Sequence, residues 1–248
     1  ASSKQQNNYF AFGSENDQET SPGYAIVKHA TFPVASPHQG DADYDPSYAI
    51  PCQKVLGEFG ERRKAFRPSS VINISGMSFG ALSGPAVEAL NRGASAAGCL
   101  QNTGEGGVSP FHLNGGDLVY QVGTGYFGCR DEAGRFSLTR LMELVDAQPS
   151  IRAIEIKLSQ GAKPGAGGVL PRAKLTEEIA AIRGVAVDRD CVSPARHSAF
   201  GDADSLLDFV ESSEVDDRYF NKPYYLLPGQ GEAALSAFET ALSARHPG

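Results

Sequence analysis

The sequence predicts an α/β protein in which helices cover a parallel sheet, and three observations carry that prediction. From Val71 onward, short β-branched or apolar runs alternate with segments of helical period. The strand-like runs read as apolar rather than alternating in polarity, as strands buried on both faces do. Each of these runs also leads into a loop rich in glycine, serine or proline. Such a pattern suits either a barrel or an open doubly wound sheet. The chain has 248 residues, enough for one large domain or two small ones; a single α/β barrel typically takes about 250.

Residues 1–70 read as an ordered but loopy N-terminal extension. "TFPVASPHQGDADYDPSYAIP" has neither helix nor strand period but keeps several aromatics. "CQKVLGEFGERRKAF" (52–66) predicts a short helix. "VINISG" (71–76) predicts a strand ending in glycine. "LSGPAVEALNRGASAAG" follows as a helix, with Ser83 as N-cap and Pro85 in the first turn. "CLQNTGEGG" and "LVYQVGTG" each read as a strand and a glycine loop. "SLTRLMELVDAQ" is a helix capped by Ser137, "IRAIEIKLS" a strong strand, and "KLTEEIAAIRG" a helix closed by Gly184. "CVSP" predicts a short strand and "DADSLLDFVESS" a helix. Residues 212–248 begin acidic, then read as a short extended piece and a helix.

Composition narrows the function classes. The net charge is −7 and the pI about 5.3, with no basic stripe, which argues against nucleic acid as a partner. The apolar runs are far shorter than a membrane span, and "ASSKQQNNYF" lacks the apolar core of a secretory signal. Cys52, Cys99, Cys129 and Cys191 form no C-x-x-C pair, so no zinc or iron–sulfur site is readable. Four reduced thiols in a cytoplasmic protein are expected.

The loops after the strands hold the chemistry-bearing residues. Met77 to Gly80, Asn102 to Gly107, Gly123 to Gly128, Gln160 to Gly168 and Ser193 to His197 all fall at C-terminal strand ends, where α/β folds bind ligands. That rim carries Ser78, Asn102, Glu105, Gln160, Lys163, Arg172, Arg196 and His197, a set suited to an anionic substrate and a polar planar cofactor. Lys157, at the end of an apolar strand, either points outward or needs a partner or ligand. Lys163 is a solvated loop cation or an anion contact. Glu105 and Ser78 compete with capping roles, and His197 with that of a satisfied helix-start histidine. "GTGYFG" (123–128) matches G-x-G-x-x-G in letters, but no clear helix opens at its last glycine, so a Rossmann site is not expected.

Together "INISGMSFGALSGPAVEALNRGA", "NTGEGG", "QVGTGYFGCR", "SQGAKPGAGGVLP" and "SPARHSAF" resemble the FMN-binding synthase domain of the glutamate synthase family, in its short, glutaminase-free bacterial form. The resemblance runs from about residue 9 to about residue 211 and rests on five motifs in order. It implies an aldolase-type TIM (β/α) barrel with FMN at its C-terminal rim. It implies reduction of 2-iminoglutarate, from 2-oxoglutarate and ammonia, to L-glutamate. On that resemblance Glu105 and Lys163 are catalytic candidates. Met77, Ser78, Asn102, Lys157 and Gln160 would line FMN, and Lys163 and Arg172 would bind the substrate carboxylates. An electron-donor protein or partner chain is implied as well.

Three departures shape the expectation. The chain starts with Ala rather than Cys and no amidotransferase domain precedes the barrel, so glutamine hydrolysis is not expected. About five strands are countable between Val71 and Glu211 where a barrel has eight. The expected barrel is therefore incomplete, roughly its first half (71–211), without the family's flavin phosphate site or iron–sulfur cysteines. Ala166 and Arg172 stand where many members have an acidic residue and a glycine. The C-terminal stretch "DDRYFNKPYYLLP" resembles a segment of bacterial Ku proteins over that length alone, and 212–248 is read as an unrelated tail. The alternative to an enzyme is an inactive barrel fragment that acts as an interaction module or needs a partner chain.

Overall fold

The structure is a computed structural model describing residues 40–42, 55–56, 65–158, 160, 167–212, 224–227 and 244. The chain divides into two units, 1–49 and 50–248, and all features below belong to the second.

Strands β1 (Gln101–Asn102), β2 (Leu118–Val122), β3 (Ile151–Lys157) and β6 (Tyr224–Leu227) form one sheet in the order β1-β2-β3-β6. All three pairings are parallel. The order advances in one direction without reversing, unlike a doubly wound sheet, whose order turns back at a switch point. Ile74 extends the same order by a parallel bridge to Gln101. This establishes a parallel α/β sheet. The C-terminal segment that the sequence separates from the domain supplies β6, whose Tyr224 to Leu227 pair with Ile154 to Lys157.

Three expectations are corrected. The strand over 71–76 contributes only the Ile74 bridge. Val71 and Ile72 are exposed, and the Asn73 side chain accepts from Leu100 N at 2.8 Å, replacing a ladder bond with a side-chain one. Of the helix expected over 52–66, the described residues Leu56 and Phe66 instead exchange backbone hydrogen bonds of 2.8 and 3.0 Å across an antiparallel bridge, and 52–54 and 57–64 lie outside the described residues. The strand at 191–194 exists as β5 (Cys191–Val192), but it leaves the parallel alternation. It pairs antiparallel with β4 (Val169–Leu170) in a separate ribbon.

The helices are α1 (Gly84–Ala97), α2 (Leu138–Ala147), α3 (Glu177–Arg183) and α4 (Ala203–Ser212). Their ends follow local chemistry. Ser137 Oγ accepts from Arg140 N, and Thr176 Oγ1 accepts from Ile179 N. Asp202 Oδ1 accepts from Ser205 N near the start of α4. Gly98 and Gly184 close α1 and α3 in the left-handed conformation. Ser83 sits at the N-cap of α1, but its side chain makes no capping bond.

The faces of the sheet differ. Leu118, Tyr120, Val122 and Ile154 pack against Leu141 and Val145 of α2, and Ile156 packs against Leu206 and Phe209 of α4. Burying each such side chain contributes about 1.5–3 kcal/mol. The opposite face begins apolar, with Leu100, Val119 and Ala153 around Phe66. Toward the strand ends it turns polar at Asn102, Gln121, Glu155 and Lys157. The period-two alternation of strands puts Glu155 and Lys157 on this face while Ile154 and Ile156 face the helices. Among the described residues no helix is long and apolar enough to cross a membrane, and Cys99, Cys129 and Cys191 are unpaired.

Candidate functional site

The polar face of the sheet opens into a cleft of about 580 Å³. Ser75, Gly76, Asn102, Gln121, Glu155 and Lys157 contribute to its wall, and Leu56, Pro68 and Val71 to its apolar side. At the strand ends Lys157 meets residues from two other segments. Its Nζ donates to Glu105 Oε1 at 3.2 Å and to Gln160 Oε1 at 2.9 Å, and Gln160 Nε2 donates to Glu105 Oε1 at 2.7 Å. The three groups close a ring of charge-assisted bonds. Lys157 and Glu105 side chains are each only 16% exposed, so the pair is held largely out of water. Glu105 Oε2 is buried and has no hydrogen-bond partner among the described residues. A lone carboxylate oxygen of this kind is an acceptor waiting for an N–H or O–H donor.

The Glu105 loop is shaped by two close approaches. A side chain at Gly104, whose φ is +65°, would meet Ser78 N at 2.6 Å and Met77 C at 3.0 Å, so the Glu105 turn rests on the Met77–Ser78 peptide. A side chain at Gly168 would meet Glu105 Oε1 at 2.8 Å and Gln160 Nε2 at 3.2 Å. Gln160 and Gly168 therefore both lie against Glu105.

A second layer fixes this ring from behind. His197 is buried and its Nε2 lies 2.8 Å from the Lys157 carbonyl, which can only accept, so Nε2 carries the proton. Nδ1 then accepts from the Tyr126 hydroxyl at 3.1 Å. That hydroxyl in turn accepts from Ser198 N and Ala199 N, at 3.0 and 3.1 Å. Burial holds the His197 pKa below its usual value, which keeps this neutral tautomer. Tyr126 adopts a left-handed φ of 50°, uncommon for a residue other than glycine. Arg183 of α3 is also buried and reaches Phe79 O at 3.1 Å and Ser78 Oγ at 3.4 Å, tying that helix to the Met77–Gly80 loop.

The structure thus brings Glu105, Lys157 and Gln160 together, with Asn102 beside them through Glu155. Asn102 Nδ2 donates to Glu155 Oε1 at 2.7 Å, and its Oδ1 accepts from Gly104 N at 2.9 Å. Met77 and Ser78 support the Glu105 turn rather than the cleft wall. Arg172 and Arg196 are exposed. The Arg172 backbone N–H donates to Asp190, and no described contact brings its side chain to Glu105. Lys163 lies outside the described residues. Glu155, Gln121, Tyr126 and Arg183 escape the sequence reading. Gln121 and Glu155 sit in runs that read as apolar, although Glu155 and Lys157, two apart in a strand, signal one polar face.

Known proteins carry the same segment. A family model described as a conserved region in glutamate synthase matches residues 49–215. A glutamate synthase large subunit-like protein of Bacillus subtilis, YerD, is 40% identical over 170 residues, which are 67% of this chain and 32% of that protein. A glutamate synthase large subunit-like protein of Rhizobium meliloti is 36% identical over 176 residues, 70% of this chain and 36% of its own length. An archaeal-type NADPH glutamate synthase of Thermotoga maritima is 34% identical over 150 residues, 60% of this chain and 27% of its own. The matched segment therefore spans about a third of these relatives.

Proposed function

This chain belongs to the glutamate synthase family, and from that premise we propose that it forms the first part of an FMN-dependent, barrel-type oxidoreductase site that makes L-glutamate from 2-oxoglutarate and ammonia. The observation that carries this reading is the Glu105–Lys157–Gln160 ring at the C-terminal ends of parallel strands, beside a cleft of about 580 Å³, a volume in the range of small-molecule and cofactor sites. The residues fit such a group. The cleft wall is polar at the strand ends and apolar below, and Glu105 Oε2 offers an unused acceptor.

FMN, when reduced, supplies the hydride that converts the imine carbon of 2-iminoglutarate to the amine carbon of glutamate. The chain's own part is placement and protons. Lys157, held in place by Glu105 and Gln160, would face the flavin from the cleft wall, and Asn102 and Gln160 would contribute amide groups. Met77 and Ser78 hold the Glu105 turn against this wall. Glu105 Oε2 accepts from the nitrogen of ammonia or the imine and handles its proton. Lys163 falls in the sequence between Gln160 and Gly168, which both lie against Glu105, and it is the proposed anchor of one substrate carboxylate. Arg172, exposed just past β4, is the proposed anchor of the second.

The test is to incubate the purified chain with FMN, desalt it and record the visible spectrum. Retained flavin near one equivalent, bleached by dithionite and restored by air, supports the site. Glu105→Ala and Lys163→Ala should then abolish reoxidation by 2-oxoglutarate and ammonia. No retained flavin in a folded chain would overturn the reading. A second reading, a site completed by a partner chain, is favoured by the exposure of Val71 (52%) at the cleft and of Ile72 (66%), its neighbour in the chain. Mass measured in solution, with and without candidate electron-donor proteins, separates the two.

A further inference from the structure

Glu155 is a carboxylate inside the cleft that the proposed chemistry does not use. Asn102 Nδ2 and Gln121 Nε2 both donate to the same oxygen, Oε1. Oε2 has no partner among the described residues, yet it is not among the buried unpartnered atoms. Since Glu155 lines the cleft, Oε2 is open to it. Two amides on one oxygen fix the carboxylate plane, so the other oxygen is presented rather than free to rotate away. Two residues along the same strand face stands Lys157, about 7 Å away along the backbone. Its ammonium has three N–H donors and uses two, on Glu105 and Gln160. The wall therefore offers one fixed anionic acceptor and one spare cationic donor side by side.

We propose that Glu155 is a specificity-determining residue of the cleft: it accepts a hydrogen bond from the ring N–H of a cyclic imide, while Lys157 donates to the adjacent carbonyl. A planar imide edge, C=O beside N–H, is complementary to that pair; a carboxylate or phosphate is not, because Glu155 repels it. Taken with FMN as the ligand, the proposal rests on the reading above and assigns the pyrimidine N3–H edge of the flavin to Glu155. No bond is made or broken; the role is recognition.

The test compares binding of FMN and of N3-methyl-FMN, followed by flavin fluorescence quenching, to the unmodified chain and to Glu155→Gln. The substitution keeps Oε1 as the acceptor for Asn102 and Gln121 but turns an amide N–H toward the cleft. The unmodified chain should bind FMN about ten- to hundredfold more tightly than its N3-methyl form, the range expected for a hydrogen bond to a charged group. Glu155→Gln should weaken FMN by a similar factor and erase the preference. Equal binding of both flavins to the unmodified chain would overturn the proposal and leave the FMN reading standing. Loss of both flavins by one factor in Glu155→Gln, with the preference intact, would assign Glu155 a structural role and overturn it too. No binding of either flavin would overturn both readings. If Glu155→Gln does not fold, the comparison on the unmodified chain decides alone.

Discussion

Lys157 and Glu105 should behave as one energetic unit, and a double-mutant cycle measures it. Their charged atoms lie 3.2 Å apart, with each side chain 16% exposed. Two unit charges at that distance attract by about 5 kcal/mol at an effective dielectric constant near 20. Desolvation of both groups offsets much of this. In Lys157→Met the ammonium is gone, while the Glu105 carboxylate stays largely buried with Gln160 Nε2 as its only partner among the described residues. A loss of about 2–4 kcal/mol is expected, near the cost of orphaning one partner of a buried pair. Glu105→Gln strands the Lys157 ammonium with Gln160 Oε1 and should cost a comparable amount. The double variant strands neither, so its loss should fall short of the sum by about 1–3 kcal/mol. Urea unfolding at pH 7 gives all four stabilities. Additivity within about 0.5 kcal/mol would refute the reasoning that this pair is buried and mutually dependent.

Three other perturbations test the frame around the site. Gly104→Ala should cost about 3 kcal/mol and abolish flavin retention, because the new Cβ would lie 2.6 Å from Ser78 N at a φ of +65°; an unchanged urea midpoint would count against the close packing of these loops. His112 is buried, and burial pushes its pKa down to about 4. The unfolded chain therefore takes up the proton first as pH falls, so stability present above about pH 6.5 is lost toward pH 4, by about 3 kcal/mol in all. His112→Asn should flatten that slope between pH 7 and 5 in urea melts. Tyr126→Phe removes the acceptor of the Ser198 and Ala199 amides and should cost about 2 kcal/mol, with hydrogen exchange accelerating at those two amides and not in α2.

What was legible in the sequence is what local chemistry decides. Ser137 starts its helix, and Gly98 and Gly184 end theirs, because cap and left-handed geometry depend on a few neighbouring residues. Strand partners are a different matter. "VINISG" has strand composition, but whether it pairs depends on what Asn73 and Leu100 do 27 residues apart. "CVSP" does become extended, yet its partner is Val169–Leu170 in an antiparallel ribbon rather than the main sheet. Composition describes a residue's preference for extended backbone and says nothing of the edge it will meet.

The same division runs through the site. Lys157 in an apolar strand reads as a residue in need of a partner, and Glu105, 52 residues away, is that partner. The two loops come together because parallel strands all deliver their C-terminal ends to one rim, whatever their separation in sequence. His197 shows why a satisfied residue and a functional one are not opposites. Its hydrogen bonds are complete, as a core histidine's should be, yet one of them ends on the carbonyl of Lys157. A residue that is fully partnered at its own position can therefore set the position of the charge that is not. Replacing His197 with Gln, which can keep an N–H toward that carbonyl, should preserve the Lys157–Glu105 coupling energy better than replacement with Leu; equal coupling in both would mean the strand end holds Lys157 without help from His197.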